Sequence, residues 1–255
     1  MRVSSASATD TGLQRSVNED DLSVREDLGL FVVADGMGGH AAGEVASKTA
    51  IEGIVAFVEA TVSVSSDQTW PFAFNPELST NGNRLDAGFR MGNRKLSTKI
   101  SEASELSGMA TTAVAVLIDG EKGTIAHVGD SRIYRLRRGT LERLTRDHSW
   151  GGEQVRAGAL SENAARQHPW RNIVTRAISG TEDLEIDIEE LTLEPLDRLL
   201  LCSDGVFAVL DDDEIREVLS RDSSLSDLCN ALVQGANDGG GPDNVTAIVL
   251  EIHAV

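Results

Sequence analysis

The sequence predicts an α+β protein in which sheets and helices form layers within one domain. Two observations carry that prediction. Apolar strand-like runs follow one another in groups separated by helical patterns, without the strict strand–helix alternation of a parallel sheet. No internal repeat, low-complexity tract or linker interrupts the 255 residues, a length that suits one large domain.

The elements can be justified in chain order. LFVVAD, ending at Asp35, is a short apolar run closed by Asp-Gly, the punctuation of a buried strand. Ala41 to Ala60 is alanine-rich, with Val45, Ile51, Ile54, Val55 and Val58 at helical spacing. Val62 to Asn83 holds Trp70, Pro71 and Pro76 and reads as an inserted surface segment; Leu85 to Leu106 follows as a second, more polar helix. From Thr111 to Thr145 the pattern is a meander: TTAVAVLI, a turn at Asp119-Gly120, TIAHV, RIYRLR, a turn at Arg138-Gly139, and TLERLT. Glu153 to Gln167 reads as helical. The strands RLLLCS and VTAIVLEI come last, with LDDDEIREVLSR and LSDLCNALVQGA between them as capped helices.

Forty-one acidic against 23 basic residues give a net charge of -18, which excludes a generic nucleic-acid binder, because phosphate backbones are held by clustered Lys and Arg. No window approaches the ~18 consecutive apolar residues of a membrane span, and MRVSSASATD lacks the apolar core of a secretory signal, so a cytoplasmic protein is expected. The two cysteines, Cys202 and Cys229, are too few for a disulfide framework; Cys202 sits in an apolar run as a buried thiol.

The informative pattern is in the carboxylates. Asp35, Asp130 and Asp204 each close an apolar strand beside a glycine or another turn residue, and Asp243 in GGGPDNV opens one. A single Asp-Gly is usually a turn. Four brought to one edge would be like charges that cannot stay ionised together without cations. Oxygen-only donors suit Mg²⁺ or Mn²⁺, and the scarcity of nearby Cys and His argues against zinc.

The residues that carry a family likeness are RSVNED (Arg15 to Asp20), VADGMGGH (Val33 to His40), GMATT (Gly108 to Thr112), VGDSR (Val128 to Arg132), LTRDHS (Leu144 to Ser149), CSDG (Cys202 to Gly205) and GGPDNVT (Gly240 to Thr246). With these segments in this order, the chain resembles the metal-dependent type 2C Ser/Thr protein phosphatases over essentially its full length. The resemblance implies a four-layer α-β-β-α sandwich with two central antiparallel sheets flanked by helices, one catalytic domain over residues 1–255, and a flap at about 149–176. It also implies that Asp35 bridges two metals, with Asp204 and Asp243 completing the first site and the Gly36 carbonyl serving the second. Glu19 or Asp20 would hold the second metal through waters, Asp130 with Asp204 would form a weaker third site, and Arg15 would bind the substrate phosphate. A hydroxide held between two ions is a ready nucleophile for in-line attack on phosphorus, and arginine's planar fork matches phosphate. The implied substrates are phosphorylated Ser/Thr proteins made by a Ser/Thr kinase, acted on by a monomer. Many eukaryotic members carry a histidine after the Asp-Gly pair, to protonate the leaving alkoxide; here the position is Met37, so His40 or a metal-bound water is left for that role.

Rival readings of these residues are weaker. GMGGHA satisfies G-x-G-x-x-A, but Asp35 would face a pyrophosphate and the acid expected ~20 residues on falls inside a helical pattern. Asp211-x-Asp213 looks like an aspartyl-phosphate phosphatase, yet Asp211 followed by Glu214 ahead of IREVL is a capping box. Six residues after Cys202 and Cys229 stand Ala208 and Gly235, where a cysteine phosphatase needs arginine. An inactive phosphoprotein-binding module of the same fold would be expected to have lost acids, and Asp35, Asp130, Asp204, Asp243 and Arg15 are all present. In the flap, Arg156, Arg166, Arg171, Arg176 and His168 outnumber Glu153 and Glu162, which points to acidic or multiply phosphorylated substrates.

Overall fold

The computed structural model describes residues 1–38, 42–63, 70–171 and 173–254, with the side chains of all these except Asn163 and Arg166. The elements run β1 (Arg2–Asp10), β2 (Asp20–Arg25), β3 (Leu30–Met37), α1 (Ala42–Thr61), α2 (Thr80–Glu102), a 3-10 turn (Ser104–Leu106), β4 (Ala110–Thr111), β5 (Ala113–Asp119) and β6 (Lys122–Val128). Then come β7 (Arg132–Arg137), β8 (Thr140–Arg143), α3 (Trp150–Arg156), α4 (Glu162–Arg166), β9 (Asp187–Thr192), β10 (Arg198–Cys202), α5 (Asp204–Phe207), α6 (Asp212–Leu219), α7 (Leu225–Asp238) and β11 (Val245–His253).

Two antiparallel sheets result, one ordered β1-β11-β10-β7-β8 and the other β2-β3-β5-β6-β9 with β4 attached to β3. Period-2 alternation decides which way each side chain faces. On β10, Leu199 and Leu201 enter the layer between the sheets, where they meet Phe31, Val33, Val114 and Ile248; Leu200 and Cys202 face outward under α6 and α7. On β3, Phe31 and Val33 enter the middle layer, whereas Leu30, Val32 and Ala34 face α1 and α2. The strands are apolar on both faces because both faces are covered, each fully buried Val, Leu or Ile stabilising the fold by about 1.5–3 kcal/mol. The expected α-β-β-α sandwich is what the chain forms. Helices α1 and α2 cross where a Cβ on Gly53 would stand 2.4 Å from the Gly92 Cα, so the small residues set how closely the outer layer packs.

Three expectations change. The meander is two hairpins: β5 pairs with β6 in one sheet and β7 with β8 in the other, the chain crossing between sheets at Gly129, where φ is +104°. The helix expected over Glu153 to Gln167 is split into α3 and α4 around Gly158, whose φ of +70° no helix accommodates. Helix α2 begins earlier than expected, at Thr80, because Ser79 caps it by accepting from the Gly82 amide at 2.9 Å; of the surface segment before it, residues 64–69 lie outside the described residues. Trp170 is 55% exposed, in edge contact with Trp150. The capping box at Asp211 and Glu214 forms as read, and both cysteines are free and buried. No described helix is long and apolar enough to cross a membrane.

Candidate metal centre

The site lies at one end of the sandwich, where strands from both sheets stop. β3 delivers Asp35 and Gly36, β6 runs into Asp130, β10 runs into Asp204 at the start of α5, and Asp243 stands two residues before β11. Asp20, the first residue of β2, is paired in register with Asp35, placing two carboxylates opposite each other across a ladder, an arrangement that is unfavourable without a counter-charge. A cavity of about 220 Å³ is lined by Arg15, Glu19, Asp35, Gly36, Met37, Asp130, Asp204 and Asp243, together with Thr112, Val174 and Asn244. Seven of the eight sequence-derived residues therefore share one cavity. Asp20 sits behind it, 8% exposed, accepting from Ser203 Oγ at 2.6 Å. His40 lies outside the described residues, while Met37 stands at the cavity wall.

Short-range bonds hold the carboxylates in place. The Asp35 carbonyl accepts from the Thr112 amide at 2.9 Å and from Thr111 Oγ1 at 2.8 Å, and Thr112 Oγ1 meets Ser131 Oγ at 2.7 Å, so GMATT ties the end of β3 to the VGDSR turn. Glu19 is gripped at both ends: its carbonyl accepts from the Gly36 amide at 3.1 Å, and its Oε1 from the Gly43 amide at 3.2 Å in the first turn of α1. At Gly36 a Cβ would stand 2.1 Å from the Gly43 carbonyl oxygen, so this position tolerates no side chain. Asn244 clamps the segment that carries Arg15 by donating to the carbonyls of Thr11 and Val17, both at 2.9 Å, and accepting from the Glu19 amide at 2.8 Å.

Asn244, Ser203 and Thr112 were not picked out as site residues. Their signal was available, since each lies inside a quoted segment, but an Asn or Thr whose partners are main-chain groups on distant elements is indistinguishable in sequence from a turn residue.

Electrostatically the centre holds more acid than base, Arg15 being the one cation in the cavity lining among the described residues and already paired with Asp243. Burial, then Asp20, Asp204 and Asp130, drive the Asp35 carboxyl well above its usual range. Burial is also the leading cause at Asp20, pushed up to about 7, at Asp130, to about 8, and at Asp204, to about 6, with neighbouring aspartates adding to each. Asp20 Oδ1 and Asp204 Oδ1 are buried oxygens without a hydrogen-bond donor among the described residues. Buried acceptors left unpaired are costly, and a hard divalent cation satisfies them with the ligand type it prefers. The donor set therefore fits such ions.

Across the sequence, residues 13–239 match the protein phosphatase 2C family. The chain belongs to that family. Within it, the chain is 34% identical to the serine/threonine phosphatase stp of Listeria welshimeri over 95% of its own length and 93% of that protein. It is 36% identical to the serine/threonine protein phosphatase PstP of Mycobacterium tuberculosis over 97% of its own length, and spans 44% of that relative. Among solved structures, M. tuberculosis PstP superposes with a TM-score of 0.87 at 33% identity over the whole of both chains. The PstP catalytic domain in complex with two manganese ions superposes with a TM-score of 0.84 at 32% identity over 99% of each chain.

This phosphatase 2C chain has a second group of potential ligands, His127, His148 and Asp187, whose donor atoms lie within 4.8 Å of one another. The Gly129 amide donates to His148 Nδ1 at 3.1 Å, so the neutral ring carries its proton on Nε2, which stands 3.2 Å from Asp187 Oδ2. In that tautomer both ring nitrogens of His148 are engaged or protonated, so the ring offers no lone pair to an ion, although Nε2 meets no well-aligned acceptor among the described residues. Burial pushes both imidazoles below their ordinary range, and the two rings stack at 4.7 Å. The cluster fastens the LTRDHS segment to β6 and β9.

Proposed function

We propose that the protein is a metal-dependent serine/threonine phosphoprotein phosphatase whose residues 1–255 act as a single catalytic domain with a flap at about 149–176, working as a cytoplasmic monomer on the products of a Ser/Thr kinase. The observation that carries this reading is the convergence of Asp35, Asp130, Asp204, Asp243 and Glu19 on the cavity that also holds Arg15. Support comes from the phosphatase relatives and from the manganese-containing PstP domain.

In this reading Asp35, Asp204 and Asp243, with the Gly36 carbonyl, would hold two Mn²⁺ or Mg²⁺ ions; Glu19 or Asp20 would support the second, and Asp130 with Asp204 would hold a third. Bound there, such ions would activate water at neutral pH and stabilise charge on the transferring phosphoryl group. Arg15 binds and orients the phosphate through its planar fork, fixed in direction by Asp243. Asp35 and Asp130, kept rigid by Thr111, Thr112 and the VGDSR turn, hold their carboxylates still while charge develops. Hydrolysis of a phosphothreonine peptide and of an aryl phosphate, each with Mn²⁺, Mg²⁺ or chelator, tests the reading. Turnover of both is expected with either ion and none with chelator; full activity in chelated protein overturns it.

A further inference from the structure

A second cavity, of about 210 Å³, adjoins the metal centre and shares Asp130 and Asp204 with it as a common wall. Away from that wall its charged lining is Arg132, Arg143, Arg146, Arg156 and Arg171 against Asp147 and Glu162. In a chain of net charge -18 this is a local inversion of sign.

The arginines are not equivalent. Arg132 is spent on Asp147, which it grips through two bonds of 2.9 and 2.6 Å, and Arg143 reaches Glu162 at 3.4 Å. Arg156 gives one nitrogen to the Asp147 carbonyl at 2.8 Å and keeps its full charge. The exposed Arg146 and Arg171 have no ion pair among the described residues. Three cations are therefore left for a ligand, from three places: the loop after β8, the end of α3 and the loop after α4. Arg176, counted in sequence with the flap's positive charge, pairs instead with Glu185 and Asp187, both at 3.2 Å.

We propose that this cavity is a substrate subsite for a second oxyanion, carried by a residue close to the phosphorylated Ser or Thr. The guanidinium fork takes a carboxylate or a phosphate with the same bidentate geometry. At ~3.3 Å per residue, an extended peptide with its phosphate on Arg15 places a neighbour a few residues away across the shared wall. A polynucleotide is disfavoured because a chain of net charge -18 repels a long phosphate backbone. The inference rests on the phosphatase reading and adds a substrate class to it: phosphopeptides with acidic or phosphorylated flanks.

The test compares kcat/KM for phosphothreonine peptides of one length with neutral, glutamate-bearing or second-phosphothreonine flanks, and for an aryl phosphate too small to span both cavities. Wild-type enzyme should favour the anionic peptides by about tenfold, with loss of the preference at high salt. The two anionic arms separate a carboxylate subsite from a phosphate one. The double variant Arg146→Ala/Arg171→Ala should lose the preference and keep aryl phosphate turnover, and Arg146→Glu/Arg171→Glu should favour lysine-bearing flanks. A flat wild-type ranking, or a loss in the alanine variant equal for all substrates, overturns the subsite. Fluorescence anisotropy of the same peptides on chelated protein reads the ranking without turnover. A preserved ranking with no hydrolysis of any substrate would reject the phosphatase reading and keep the subsite; hydrolysis with a flat ranking would reject the subsite alone.

Discussion

Arg15 Nη2 donates to Asp243 Oδ2 at 2.7 Å across 228 positions of sequence, so the residue expected to hold substrate phosphate is aimed by a residue expected to hold metal. The arginine is half exposed and has no other side-chain partner among the described residues, which leaves the rest of its fork free to turn outward. Asp243→Ala should therefore do two things at once, weakening the first metal site and raising KM for a phosphopeptide. Arg15→Ala should raise KM alone, by roughly ten- to hundredfold for a lost charge-assisted hydrogen bond. Metal titration by calorimetry beside steady-state kinetics separates the two; an unchanged KM in Asp243→Ala would mean that Arg15 keeps its direction without the aspartate.

Asp130 and Asp35 should part company in the same way. Asp35 stands at the centre of the cluster, with Asp20, Asp204 and Asp130 all acting on it, and Asp35→Asn should cost several orders of magnitude in turnover together with loss of metal binding. Asp130→Ala should spare the two core sites and still reduce turnover. Calorimetry showing that Asp130→Ala binds no metal at all would contradict a separate third site.

The raised carboxyl groups fix how stability depends on pH once divalent ions are removed. Asp204, Asp20 and Asp130 are pushed up to about 6, 7 and 8, and Asp35 is also raised, so the folded state binds more protons than the unfolded chain between about pH 4 and pH 8. Their contribution to stability is full at the acid end of that window and is lost as pH rises through the folded-state values. Chelated protein should melt at progressively lower temperature across this range, and added Mn²⁺ should restore stability most at the alkaline end. Asp204→Asn should flatten the chelated profile; an unchanged slope would mean that the cluster is not the source.

Asp35, Asp130 and Asp204 were legible in sequence because each closes an apolar run next to a residue that must turn, and Asp243 because it opens one; Arg15, Glu19, Asp20 and Gly36 came from the family resemblance alone. Of the four edge strands, only β8 was legible; β1, β2 and β9 were not. β1 reads RVSSASATD, with hardly any apolar side chain, and owes its strand to nine paired positions on β11, more than 230 residues away; β9, DIEELT, is an acidic edge held by β6. The crossing at Gly129 was hidden because two hairpins in series have the same alternation as one meander until the partners are known. The arginine-lined cavity was half visible. Arg156 and Arg171 were read as part of a positive flap, but Arg143 and Arg146 come from outside that segment, and only the folded chain shows that Arg176 faces Glu185 and Asp187 instead.

The buried pair in the wall of the arginine-lined cavity yields the last prediction. Arg132, 7% exposed, is held by Asp147, by Tyr134 Oη at 2.9 Å and by the Phe207 ring 3.6 Å beneath its guanidinium. Burial alone would push the Asp147 carboxyl up, yet Arg132 outweighs it and the group stays below the usual aspartate range. Its stabilising contribution is thus complete above the unfolded aspartate value and fades only as pH falls through the lower folded one. Removing one partner leaves the other charge buried and unpaired, whereas replacing both can be nearly neutral. Asp147→Ala should cost about 3–5 kcal/mol in urea denaturation near neutral pH, and adding Arg132→Met to it should recover most of the loss. Equal instability in the single and double variants would show that Asp147 acts through its own packing, and that the cation beside the substrate cavity is no burden to the fold.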